Sequence, residues 1–292
     1  MTRTRSRIYE NGVVVAEDVD HTVVEADDVG RFFPGLVPDG RRAVFQPEAG
    51  PVLAAASLAA QLDLFTAAGG QLGIGHAVRS VEPTANGVRI AGDDGLALDA
   101  DVVVLAPGPG APALLDAIGC DLPLAPRLEQ VVHFGSAGAT VTDDLPCWFE
   151  GPQGDEPGHY AMCTPGKGYK IGLDQALRAY SEDDADRTPD DAMVAAVAAR
   201  IRRRLPTLDP APLDAQVCSW TSSPDSRFVI DALPGGIVLA CGDGGEGFKF
   251  SALMGEVLAD LAEGATPDPD VATFGLARFA DGYPEIPHVL GR

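Results

Sequence analysis

No two cysteines in this chain are spaced C-x-x-C, and the five present (Cys120, Cys147, Cys163, Cys218, Cys241) are scattered and odd in number. Neither a disulfide framework nor a zinc site is indicated, and a reducing cytoplasm fits this cysteine usage. No run of eighteen apolar residues occurs, and the basic opening Met1-Thr-Arg-Thr-Arg-Ser-Arg7 is followed by no apolar h-region, so neither export nor a membrane span is expected. Positive charge is scarce: 21 Lys and Arg stand against 43 Asp and Glu, a formal net charge of -22. Such a chain repels phosphate backbones and anionic lipid, which removes nucleic acid and membrane surfaces from the expected partners. The acidic clusters Glu182-Asp183-Asp184 and Asp190-Asp191 have no His or Cys beside them. They read as solvated loop and helix-start residues, and no metal is expected.

What is present is apolar and rich in turns. With 292 residues, 46% hydrophobic, the chain can bury a sizeable core as two packed domains or one large α/β unit, and 34 Gly and 24 Pro imply many loops. Short strands are predicted at 13–16, 22–25 and 43–45, with a short helix capped by Asp27 and ended by Pro34. An Ala/Leu helix spans 52–68 and stops at Gly69-Gly70. Strands follow at 71–74, 77–82, 87–91 and 96–98, with Asn86-Gly87 and Asp94-Gly95 as hairpin turns, and 101–106 reads as a parallel strand buried on both faces. The region 128–174 alternates as an antiparallel sheet would. Thr188 is expected to cap a helix, with Pro189 at its first position, that runs to Pro206 and carries Arg200, Arg202, Arg203 and Arg204 at its negative dipole pole.

The most informative stretch lies late in the chain. An apolar strand, 237–241, enters Gly242-Asp-Gly-Gly-Glu-Gly247, and an amphipathic helix begins at Ser251. Four glycines in six residues (Gly242, Gly244, Gly245, Gly247) let backbone approach a ligand closely, and the helix beyond offers unpaired N–H groups and a positive dipole end. A second turn, Gly108-Pro-Gly110-Ala-Pro-Ala113, also follows an apolar strand. Both match the spelling of a dinucleotide fingerprint, but neither is followed by a helix, a second parallel strand and an acidic residue, so neither is the primary dinucleotide turn. A nicotinamide dehydrogenase is disfavoured on the same ground.

Three separated motifs carry a resemblance: Glu246-Gly-Phe-Lys-Phe250 behind Cys-Gly-Asp-Gly-Gly, Val217-Cys-Ser-Trp-Thr-Ser-Ser-Pro-Asp225 with Phe228-Val-Ile-Asp231, and Gly168-Tyr-Lys-Ile-Gly-Leu173. In order and spacing the chain resembles the sarcosine oxidase and N-methyltryptophan oxidase group of the D-amino-acid-oxidase-like flavoproteins, over about residues 20 to 275, with Phe45-Gln-Pro-Glu-Ala-Gly50 and Val102-Val-Val-Leu-Ala-Pro-Gly108 as further landmarks. The resemblance implies FAD and oxidation of a C–N bond in a small amine or N-methyl amino acid. It assigns Lys170 to the lysine that faces the flavin and promotes oxygen reduction, a cation stabilising a developing superoxide-like charge. It assigns Lys249 to the substrate carboxylate. Cys218 takes the position of a cysteine that forms a thioether to the flavin, and Val78, Gly108, Gly242, Gly244, Gly245, Gly247, Phe248 and Lys249 fall in the cofactor-binding set. The helix from Ser251 would point its N-terminus at the flavin N1/C2=O edge. Read without the resemblance, Lys170 is a strand residue facing water, Lys249 a snorkelling surface lysine and Cys218 a small core residue.

The pattern also departs from the family. Glu246 and Asp174 stand where family members carry His, and Gly110 replaces an expected Trp, so a cationic group is favoured near the pocket over a simple zwitterion. Nothing in residues 1–20 supplies the family's opening strand, G-x-G-x-x-G turn and second strand. Three explanations stay open: a fragment, a homo-oligomer or partner chain that covers the gap, or a non-catalytic subunit or pseudoenzyme that has lost autonomous FAD binding. The expected fold class is α/β: a partial FAD-binding Rossmann-like parallel sheet, with its first strand and glycine turn missing, plus an antiparallel or mixed-sheet substrate domain. The expected division is 52–125 with 224–265 for the FAD-binding remnant, and 1–51, 126–223 and 266–292 for the substrate domain.

Overall fold

A computed structural model describes residues 6–10, 13–17, 21–138, 141–181 and 184–284. Two compact units are present, one built from 1–51, 130–174 and 188–216, the other from 52–129, 175–187 and 217–292. Strand Ala125–Ser136 and strand Leu208–Ser222 each run through a boundary between them.

The first unit is organised by an antiparallel sheet. Trp148–Glu150 pairs with His159–Thr164, which pairs with Gly168–Leu173, which in turn pairs with residues 131–134 of Ala125–Ser136. Alternation does the rest: Val132, Phe134, Tyr169 and Ile171 point to one face and are at most 1% exposed, packed against Val197, Ala198 and Ile201 of helix Asp191–Arg204. The helix cap is Asp190 rather than Thr188. Its backbone is extended and its carboxylate accepts the Met193 amide at 2.7 Å, which leaves Pro189 outside the helix. The buried Gln130 side chain pins this end, accepting the Asp190 amide at 2.6 Å and donating to the Asp190 carbonyl at 3.1 Å, so its polar atoms are satisfied. The arginines at the far end do more than meet the dipole. Arg200 and Arg204 are buried, and Arg200 donates to Glu156 and to the Pro157 carbonyl at 3.1 and 3.0 Å. An antiparallel pair of Thr22–Val24 and Ala43–Phe45 joins the same unit.

The second unit is mixed α/β. Ile237–Cys241 is central to a three-stranded sheet, antiparallel to Val229–Leu233 and parallel to Val103–Leu105. Its alternate residues feed two clusters. Ile237, Leu239 and Cys241 pack with Leu105, Leu115 and the meander residues Val81 and Val88, whereas Val238 packs with Ile230, Leu258 and Leu261, the last two from helix Ser251–Ala262. Burial on both faces, expected of 101–106, therefore belongs to 237–241. Val104 is 43% exposed because its strand is one of the two edges of the sheet, whereas the helix covers the central strand.

The meander forms as Val78–Thr84, Gly87–Gly92 and Ala97–Ala100, but 71–74 is not a strand, because its apolar residues find no ladder partner among the described residues. Helix Ala54–Ala67 forms where expected yet buries none of its residues, with Leu58, Leu62 and Phe65 between 37% and 52% exposed.

Candidate functional site

Parallel pairing brings the two glycine turns to one edge. Val103 aligns with Ile237 and Leu105 with Leu239, so Gly108 and Gly242 both follow the carboxyl ends of neighbouring parallel strands, the edge at which open α/β sheets bind ligands. Gly242, Gly244 and Gly245 adopt φ of 68°, 59° and 81°. A Cβ at Gly242 would meet the Ser223 Cβ at 2.9 Å, so this position is closed to side chains by conformation and by space. Around Gly244, in contrast, a Cβ would have no neighbour within 4 Å.

The turn is tied to the end of strand Leu208–Ser222. The Gly244 amide donates to the Thr221 carbonyl at 2.9 Å, Ser222 bridges Asp243, and the Trp220 ring lies 3.4 Å from where a Gly245 Cβ would be. Asp243 closes the turn internally, its carboxylate accepting the Gly247 amide at 3.2 Å. The Trp220 Nε1 and Thr221 Oγ1 atoms at this junction are buried with no hydrogen-bond partner. Buried donors are almost always paired, so two unpaired groups beside an open glycine turn fit a polar heterocyclic ligand. Cys218 is exposed on the same strand, its thiol donating to the Glu129 carbonyl at 3.7 Å, and strand alternation places it on the face that carries Trp220. After the turn, the Lys249 ammonium lies 3.8 Å from the Glu246 carboxylate and 5.8 Å from the Phe250 ring centroid, with its side chain 53% exposed. Helix Ser251–Ala262 follows one 3-10 turn later. Val78 opens the meander, 38% exposed and paired with Gly92, in a different sheet from the one that carries the turn.

Lys170 and Asp174 lie in the other unit. Lys170 is half-buried between His133 and Met162 on the adjoining strands, on the sheet face opposite Tyr169 and Ile171. Along the same face Tyr160 lies across Gly172, where a Cβ would approach its ring to 2.5 Å. Asp174 follows the last residue of the strand, Leu173, its amide donating to the Gly158 carbonyl at 2.8 Å. His133 is 2% exposed with Nδ1 unpartnered, and burial, reinforced by Lys170 and Lys167 against the pull of Asp214, holds its pKa below the usual range. Neutral imidazole beside an ammonium was not singled out from the sequence, nor were Trp220 and Thr221. The signal for His133 is a lone polar residue between Val132 and Phe134, whereas Trp220 gains its role from a turn remote in sequence.

A model of the FAD dependent oxidoreductase (DAO) family matches residues 3–261. The chain belongs to this family. Its cofactor class is accordingly FAD. Among relatives of this FAD dependent oxidoreductase, monomeric sarcosine oxidase from Streptomyces avermitilis is 30% identical over 273 residues, covering 90% of the chain and 70% of the relative. N-methyl-L-tryptophan oxidase from Salmonella heidelberg is 29% identical over 254 residues, covering 84% and 65%. Among solved structures, NikD, an amino acid oxidase of nikkomycin biosynthesis, superposes with a TM-score of 0.74 at 25% identity, over 94% of this chain and 70% of that one. No helix among the described residues is long and apolar enough to cross a membrane.

Proposed function

We propose that this oxidoreductase removes a hydride from the carbon beside the nitrogen of a small secondary or N-methyl amine or amino acid, and that the turn Gly242–Gly247 holds the redox ring. One observation carries this reading: an open glycine turn at the carboxyl edge of a parallel strand pair, with the buried, unpaired polar atoms of Trp220 and Thr221 at its junction. FAD, held there, would supply the hydride acceptor.

In this reading the chain's own groups act as follows. The positive pole at the start of helix Ser251–Ala262 faces negative charge developing on the ligand, while the Gly244, Glu246 and Gly247 amides hold the turn in shape. Cys218, exposed beside Trp220, is the attachment point for the cofactor. Lys249 binds the substrate carboxylate, with Glu246 at 3.8 Å biasing the site toward a substrate that also carries positive charge. Lys170 is the cation that favours electron transfer to oxygen, and neutral His133 beside it keeps that charge from being opposed by a second cation. Asp174 adds a carboxylate at the end of the Lys170 strand.

The visible absorption of the purified chain tests the reading. Yellow protein, or uptake of added FAD, supports it, and colour that stays with the polypeptide after denaturation supports Cys218 as the attachment point. A colourless protein that ignores added FAD sinks it in favour of a non-catalytic role.

A further inference from the structure

A cavity of about 290 Å³ lies in the first unit, on the side of the sheet away from Lys170. Its walls are aromatic: Phe32 and Phe45 stand 5.0 Å apart between centroids, and Phe33 meets Trp148 edge-on at 5.9 Å. Five charged residues also line it. Two carboxylates, Asp39 and Glu150, are each engaged by two guanidinium groups: Arg41 reaches Asp39 at 2.6 Å and also pairs with Glu150, and Arg204 reaches Asp39 and Glu150 at 3.3 and 3.2 Å. The third cation, Arg42, lines the same cavity, is exposed, and has no ion pair or hydrogen bond among the described residues. Three guanidinium groups against two carboxylates leave one unmatched positive charge in a chain whose net charge is -22.

We propose that this cavity binds a small aromatic carboxylate, with its ring packed against the Phe32–Phe45 pair and Trp148 and its carboxylate on Arg42. The volume is at the lower end of the roughly 300–1,000 Å³ of small-molecule sites, which suits one ring rather than a dinucleotide. Ring walls favour an aromatic body by offset and edge-on packing, and a planar guanidinium matches a carboxylate through two parallel hydrogen bonds. The guanidinium groups of Arg41 and Arg204 occupy Asp39 and Glu150, so an ammonium ligand finds no free carboxylate there. The ligand site is separate from the residues proposed for catalysis: it shares none of them, and its binding is read without flavin turnover.

The chain has two tryptophans, so Trp220→Phe leaves Trp148 in the cavity wall as the sole indole reporter. Phenylacetate is expected to change its emission saturably, whereas acetate, which lacks the ring, and phenethylamine, which reverses the charge, leave it unchanged at the same concentration. Arg42→Gln should weaken phenylacetate binding at least about tenfold. Saturation-transfer NMR with phenylacetate on the unmodified chain and on Arg42→Gln gives the same comparison without the tryptophan change. Absence of saturable binding overturns the proposal. So does equal binding of phenethylamine, or binding that survives Arg42→Gln but is lost in Lys249→Met, which would put the ligand in the catalytic site.

Discussion

Lys170 and Lys249 carry the same charge on very different supports. The first projects from a paired strand, half-buried, between His133 and Met162, and its position is set by register on both sides. The second sits in a 3-10 turn, 53% exposed, with a carboxylate 3.8 Å away. Removing a strand residue's neighbours would shift a whole ladder, whereas the turn keeps its shape through glycine conformations and two backbone ties to strand Leu208–Ser222. A rigid cation suits a fixed electrostatic task, and a mobile one suits a substrate that must come and go.

The strongest way to break this contrast is at the turn itself. Gly242→Val forces a β-branched residue into φ 68° with its Cβ against Ser223, and should cost about 3 kcal/mol or more in urea unfolding. Gly244→Ala, at φ 59° but in open space, should cost only about 1 kcal/mol. Equal losses would mean that the Ser223 contact does not shape the turn.

Next, in flavin-loaded protein, Lys170→Met should slow reoxidation by oxygen about 100-fold in stopped-flow measurements, with flavin reduction by substrate little changed. Lys249→Met should instead raise KM with reoxidation intact. If both variants slow the same half-reaction, the division of labour between the two lysines is wrong.

A third test concerns the buried charge behind the first unit's core. Burial, with the guanidinium groups of Arg200 and Arg204 nearby, pushes His159 from 6.5 down to about 3. The unfolded chain binds this proton below about 6.5 and the folded chain does not, so stability is full above that pH and falls by about 1.4 kcal/mol per pH unit toward about 3. His159→Asn should remove that slope from the pH dependence of unfolding, and an unchanged slope would assign it elsewhere. The smallest effect is expected at Glu246→Gln: its exposed pair with Lys249 should add no more than about 0.5 kcal/mol to stability, so any large change must appear in substrate preference.

Local signals made much of this legible. Helix 54–67, the meander turns at Asn86-Gly87 and Asp94-Gly95, and the strand, glycine turn and helix at 237–262 all announce themselves through periodicity and turn chemistry. Gln71 to Ile74 misled because an apolar run states a wish for burial without naming a partner. Thr188 misled because two capping residues stand two apart, and only the path of the chain decided for Asp190. His133, Trp220 and Thr221 were hidden because an unpaired buried atom is a property of neighbours distant in sequence.

The amino-acid order alone determined which segments coil or extend, where glycine permits a sharp reversal, and how strongly negative the chain is, since each depends on residues within a few positions of one another. The tertiary structure decided which edge the two glycine turns share, which arginines of the aromatic-walled cavity are consumed by carboxylates and which is left over among the described residues, and which imidazoles are disfavoured as cations. Those outcomes depend on pairing and desolvation between remote parts of the chain, and neither leaves a local trace.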